Sequence, residues 1–161
     1  MKRPAALALL VVLATSACGG SSSAKQPADD PKDVAVHVLD QIVHNRYTEA
    51  WDGLYGADQK VAPRREYVDC ESRSPVNATP TSVNVVKVED ASVGLGDGTF
   101  VDSKAVSLRL GFTGGFKLVH VVHLVAGGGV WHWILPSWRY RDYKADRCPT
   151  DAGSSPPPSS S

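Results

Sequence analysis

Five histidines, three cysteines and a scatter of carboxylates are the residues of this 161-residue chain whose types could do chemistry. Imidazoles ligate divalent metals and serve as general bases near neutral pH. Their spacing here works against a shared site. His37 and His44 stand seven residues apart, about 10 Å along the axis if the segment is helical, too far to share an ion unaided. His120 and His123 lie three apart in a strand-like run and so face opposite sides. His132 alternates with Trp131 and Trp133 and takes the face they leave. No CxxC or close His/Cys spacing accompanies them, so neither a metal nor a cofactor is expected. Acid–base chemistry would need a base with a facing donor, and the available set is His120 or His123 with Ser107, Arg109 and Tyr67. No spacing among these matches a catalytic motif. They are expected to be sheet residues, solvated or hydrogen-bonded, with no catalytic role, and the chain is expected not to be an enzyme.

The cysteines say more, and the N-terminus explains why. Lys2 and Arg3 precede a short apolar run, Ala5 to Ala14, which is well under the length that spans a bilayer. Residues 1–17 are therefore expected to be a cleaved secretory signal. Thr15-Ser16-Ala17-Cys18, followed by Gly19-Gly20 and three serines, resembles the lipobox of bacterial lipoproteins, with Thr15 where leucine is usual. That resemblance implies that Cys18 is lipidated and becomes the first mature residue. Several acyl chains at about 0.8 kcal/mol per buried methylene anchor a protein stably. The chain is then expected on the extracytoplasmic face of a bacterial cell membrane. With Cys18 acylated, Cys70 and Cys148 remain, an even pair in a compartment that permits disulfides. Closing so long a loop would stabilise the fold by roughly 4 kcal/mol in the chain-entropy model.

Composition bounds the partners. The 17 basic and 17 acidic residues balance, and loss of Lys2 and Arg3 with the signal leaves the chain slightly acidic. A general nucleic-acid binder would carry a basic excess, so none is expected as a partner. Residues 18–29, rich in Gly, Ser, Ala and Pro, are expected to be a flexible tether reaching roughly 20 Å. Residues 150–161, a Ser/Pro stretch, cannot build a core and are expected to be disordered. Asn77-Ala78-Thr79 matches a glycosylation acceptor, which the bacterial cell implied by the lipobox resemblance makes a chance match.

The elements that must position these side chains fall in residues 30–149. Asp30-Pro31 supplies a helix cap and a first-turn proline, after which Ala35, Val38, Leu39, Ile42 and Val43 recur at helical spacing. Asn45-Arg46 ends that helix. Tyr47 to Tyr55 predicts a second, with Ala50, Trp51, Leu54 and Tyr55 inward, and Pro63 to Cys70 a third. After Pro80 the pattern becomes strand-like over Ser82–Glu89, Phe100–Phe112, Phe116–Val125 and Val130–Leu135. Thr113-Gly114-Gly115 and Ala126 to Gly129 supply hairpin turns. Helices followed by a meander predict the α+β class, with N-terminal helices packed on a curved antiparallel sheet. Trp138-Arg139-Tyr140-Arg141-Asp142-Tyr143-Lys144 interleaves aromatics and bases. It is either a partner surface or a terminal segment whose aromatics pack on the domain before Cys148.

This order, with Arg46-Tyr47-Thr48-Glu49-Ala50-Trp51 after the first helix, Tyr67-Val68-Asp69-Cys70 in the third and Trp131-His132-Trp133-Ile134-Leu135 at the end, resembles the nuclear-transport-factor-2-like superfamily. More narrowly it resembles the small actinobacterial envelope lipoproteins of that superfamily. The resemblance implies a cone-like domain and an envelope location; no activity comes with it. The expected function is a lipid-anchored envelope protein whose domain binds a partner protein, an envelope polymer or a small apolar ligand without catalysis. The competing expectation is a cavity enzyme of isomerase, dehydratase or hydrolase type acting on a small hydrophobic substrate.

Overall fold

Asp30 caps the first helix of the chain, as its place before Pro31 predicts. Its carboxylate accepts the Lys32 amide at 2.9 Å. A computed structural model describes residues 27–149. The signal, Cys18, most of the tether and the Ser/Pro tail lie outside the described residues.

Helix α1 (Pro31–Val43) buries Ala35, Val38 and Leu39, and the chain leaves it through Asn45 in the left-handed region at φ 57°. Helices α2 (Tyr47–Asp52), α3 (Gly56–Val61) and α4 (Arg64–Arg73) follow. The periodicity predicts only two helices over this stretch. α3 escapes it because the one residue that this short helix buries is Asp58, a polar side chain.

Four strands then run as a meander in the order β1-β2-β3-β4, every neighbour antiparallel. They are β1 (Ser82–Gly94), β2 (Phe100–Gly111), β3 (Lys117–Gly127) and β4 (Val130–Trp133). β1 runs five residues past the predicted Glu89. Within them Ala91 and Val93 alternate with Asp90 and Ser92, a short apolar signal beyond the predicted end, and all five pair regularly with Phe100–Lys104. The glycine turns are as expected: Gly114 and Gly115 hold φ of 85° and 81°, Gly128 and Gly129 of 62° and 85°. Only glycine adopts such angles without steric cost.

A fifth helix, α5 (Ser137–Lys144), closes the fold, where the sequence offered either a partner surface or a packed aromatic segment but no helix. Tyr140 and Tyr143 are buried, so the aromatic part of the run from Trp138 to Lys144 faces inward.

One face of the sheet carries Val106, Leu108, Leu110, Val122, Leu124 and Trp133, and these pack with α1, α2 and α4 residues in the main core. A smaller cluster of Leu95, Val125 and Ile134 seals the opposite face at one end, beside Tyr55 and Ala57. Indole donors stitch the layers. Trp133 Nε1 donates to the Ala50 carbonyl at 2.6 Å, Trp51 Nε1 to Ala62 at 2.7 Å, and Trp131 Nε1 to Asp29 at 3.0 Å. Among the described residues no helix is long and apolar enough to cross a membrane.

Candidate functional site

The ionisable groups drawn inside the fold gather where α4, α5 and the α3 segment meet. On α4, Tyr67, Cys70 and Glu71 stand at helical spacing, so one inward stripe carries an aromatic, a thiol and a carboxylate. Cys70 is bonded to Cys148 just beyond α5, with Cα atoms 5.1 Å apart across a sequence separation of 78. Glu71 Oε1 accepts from the Arg139 guanidinium and from the Tyr143 hydroxyl, the latter at 2.8 Å. Tyr67 packs between the rings of Trp133 and Tyr143, centroids 6.4 and 6.0 Å away. Arg139 also lies over the Trp138 ring at 5.1 Å.

Electrostatics within this cluster follow from burial. Desolvation lifts the Tyr67 and Tyr143 hydroxyls above the ordinary phenol range, and the neighbouring Glu71 carboxylate lifts them further. Burial works against the Arg139 charge, but the Glu71 carboxylate more than offsets it and the guanidinium is held above its usual value. The buried Glu71 carboxylate is paired with the part-buried Arg139 guanidinium and the Tyr143 hydroxyl, which ties α4 to α5.

Asp58 is the second buried carboxylate. Its Oδ2 accepts the Leu135 amide at 2.7 Å, between β4 and α5. Its Oδ1 is buried without a protein partner. Desolvation raises its carboxyl to about 6, the Leu135 hydrogen bond opposes the rise, and Asp97 adds to it.

The other candidates are dispersed. His120 pairs with Leu108 on the helix-facing side of the sheet, whereas Ser107, Arg109 and His123 lie on the other face. Tyr67 is on α4, on the helix side of the sheet. The set that could have formed an acid–base site is therefore split by the sheet. His123 is half-buried, and desolvation pulls its imidazole down. With the Ser103 hydroxyl directed to the Ala91 carbonyl at 3.2 Å, His123 Nδ1–H donates to Ser103 Oγ, also at 3.2 Å. His37 accepts from Gln41 at 3.0 Å, and His44 sits 3.0 Å from Asp40 on the same helix. His132 Nδ1 is buried without a partner. Among the described residues no three His, Cys, Asp or Glu side chains converge as metal ligands.

Two grooves mark the surface of the described residues. One of about 990 Å³ runs along the outer side of α4 past Thr48, Arg64, Arg65, Val68 and Ser72. The other, about 180 Å³, lies between α1 and the segment before β1, against Leu39, Val43, Pro80 and Val83. Neither reaches Asp58, Glu71 or His120. Periodicity singled out neither buried carboxylate. The signal for Glu71 was present, a charged residue on the apolar stripe of a helix; for Asp58 there was none. A scan against protein-family models finds no match for the chain, and a search of curated proteins finds none either.

Proposed function

We propose that the chain is a lipid-anchored cell-envelope protein whose single domain, of nuclear-transport-factor-2-like type, binds a partner protein without catalysis. The anchor reading rests on the signal and the lipobox-like Thr15-Ser16-Ala17-Cys18, and the domain type on five helices grouped about a four-stranded meander. The observation that carries the binding reading is a division of labour. The buried carboxylates Glu71 and Asp58 each accept a hydrogen bond that ties elements of the fold together, while Phe116, Leu118, Val119 and Val121 form an exposed apolar run along the free half of β3. Catalysis in the competing cavity-enzyme reading would fall to Asp58 or Glu71, and neither groove opens onto them.

In-cell cross-linking with the intact protein tests this reading. One reproducible envelope protein should be captured, and capture should fall when Cys18→Ala releases the chain from the membrane. Absence of any reproducible partner would sink the binding reading; retention of Cys18→Ala in the lipid phase would sink the anchor.

A further inference from the structure

A β-sheet edge is a row of unpaired amides and carbonyls, and proteins protect such edges from other chains. Two edges here are protected. Along β4, the Tyr55 amide donates to the Trp133 carbonyl at 2.8 Å and the Trp133 amide to Gly53 at 3.1 Å, so the α2–α3 linker covers the Trp133 end of the strand. Along β1, the register shifts between Val85 and Lys87, and Lys87, Glu89 and Asp90 add charge. Bulges and charges are the usual means of blunting an edge.

A third edge is left open. β4 pairs only with Leu124–Gly127. The first half of β3 therefore has β2 on one side and, among the described residues, no strand on the other. The Phe112 amide donates to the Phe116 carbonyl at 2.9 Å, which fixes the parity of the β2–β3 ladder. Even-numbered residues of β3 bond to β2, so Lys117, Val119 and Val121 turn both backbone groups to the open side. The Ile134 amide, donating to His123 at 3.2 Å, obeys the same parity at the end of the gap. The stretch is apolar and regular in register, and Phe116, Leu118, Val119 and Val121 are 62%, 46%, 57% and 43% exposed.

We propose that this edge of β3 receives an extended segment of a partner protein, added antiparallel as a further strand. The proposal rests on the partner-protein reading above and deepens it. Backbone pairing would supply affinity and alternate side chains the specificity. Lys117, Val119 and Val121 share one face with Arg109, the cross-strand neighbour of Val119. No carboxylate among the described residues pairs with Lys117 or Arg109. Leu118 and His120 point to the other face. The complementary segment is apolar opposite Val121, Val119 and Leu118 and acidic opposite Lys117. Charge selects against a second copy of this chain. A symmetric pair about Val119 would set two lysines and two arginines on one face with no carboxylate between them.

The test is titration of the full chain with two acetylated heptapeptides, Thr-Val-Thr-Val-Val-Glu-Thr and the same sequence with Lys for Glu. Val119→Pro removes an outward amide without breaking the β2–β3 ladder. The Glu peptide should bind at least tenfold tighter than the Lys peptide, and Val119→Pro should weaken it at least tenfold. Lys117→Glu should reverse the preference, and it decides the matter if Val119→Pro does not fold. Equal binding of both peptides, or undiminished binding to a folded Val119→Pro, would overturn the proposal. So would a dimer of the full chain that Val119→Pro dissociates. If folded Val119→Pro keeps its in-cell cross-links, the edge is wrong while the partner-protein reading stands.

Discussion

Asp58 makes the stability of this domain fall as pH rises through the weakly acidic range. The residue is 1% exposed and one of its oxygens has no partner, so ionising it in the folded state is costly. Its carboxyl is raised from 3.8 to about 6, and at 1.36 kcal/mol per unit that shift corresponds to about 3 kcal/mol. The sign follows from linkage. Between pH 4 and 6, roughly, the folded state holds the proton more tightly than the unfolded chain, so raising the pH favours unfolding. The contribution is fully present below the unfolded value, is lost as pH rises through the folded one, and is flat above about 7. A small domain has about 5–15 kcal/mol in all, so the effect is measurable.

Asp58→Asn isolates it. The amide oxygen can still accept from Leu135, and the amide nitrogen takes the place of the unpartnered Oδ1, at a cost that does not vary with pH. Urea unfolding of both proteins, followed by tryptophan fluorescence at steps from pH 4 to 7.5, gives the stability difference at each pH. The variant should gain on the parent by about 2.5 kcal/mol across that range, and the gain should be centred near pH 5, midway between the unfolded and folded values. A difference constant within about 0.5 kcal/mol, or one that moves the other way, would refute the argument.

The remaining predictions concern the α4–α5 junction and one tight contact. Glu71→Ala leaves the part-buried Arg139 without its partner and should cost about 3 kcal/mol in chemical unfolding, the low end for a buried pair. Glu71→Leu combined with Arg139→Met and Tyr143→Phe should recover most of that loss, and a triple variant as unstable as the single one would contradict the ion-pair account. Reducing the Cys70–Cys148 bond frees a loop closed across a sequence separation of 78, which should cost roughly 4.5 kcal/mol in the chain-entropy model; coincident unfolding curves with and without reductant would disprove it. At Gly96 an added Cβ would sit 2.1 Å from the Tyr140 ring and 2.8 Å from its own Cβ. Gly96→Ala should therefore cost about 1–3 kcal/mol, and an unchanged thermal midpoint would show that the turn before β2 moves freely off α5.

Elements were legible in the sequence where burial imposed a period. α1 shows this through Ala35, Val38 and Leu39, and β2 through Val106, Leu108 and Leu110, because each turns one side to the core. β1 was cut short because its last five residues offer only Ala91 and Val93 as apolar alternation, too brief a signal beside Gly94. α3 was missed because six residues with a buried aspartate carry no apolar stripe. α5 was missed for a related reason: its tyrosines at positions 140 and 143 are spaced for a helix, but Trp138, Arg139 and Arg141 blur the face. Site residues were legible only as an inventory. That His120 and His123 face apart follows from the two-residue repeat of a strand. That Glu71 meets Arg139 does not, because 68 residues separate them and only the folded sheet brings α5 back to α4.

α5 also explains why charge was drawn inside at all. Two tyrosines are the only buried side chains of this short helix, too little apolar surface to fix it against the domain unaided. Three other ties do so. Asp58 holds the Leu135 amide just before it, Glu71 holds Arg139 and Tyr143 within it, and Cys70 holds Cys148 just after it. Each tie compensates for hydrophobic contact that the helix lacks, and each has a chemical sensitivity of its own: proton activity for Asp58, charge pairing for Glu71, redox state for the cysteines. Loosening one should therefore show first as faster amide exchange over residues 137–144, ahead of any change in β2. Equal protection loss in both would mean that α5 is an inseparable part of the main core.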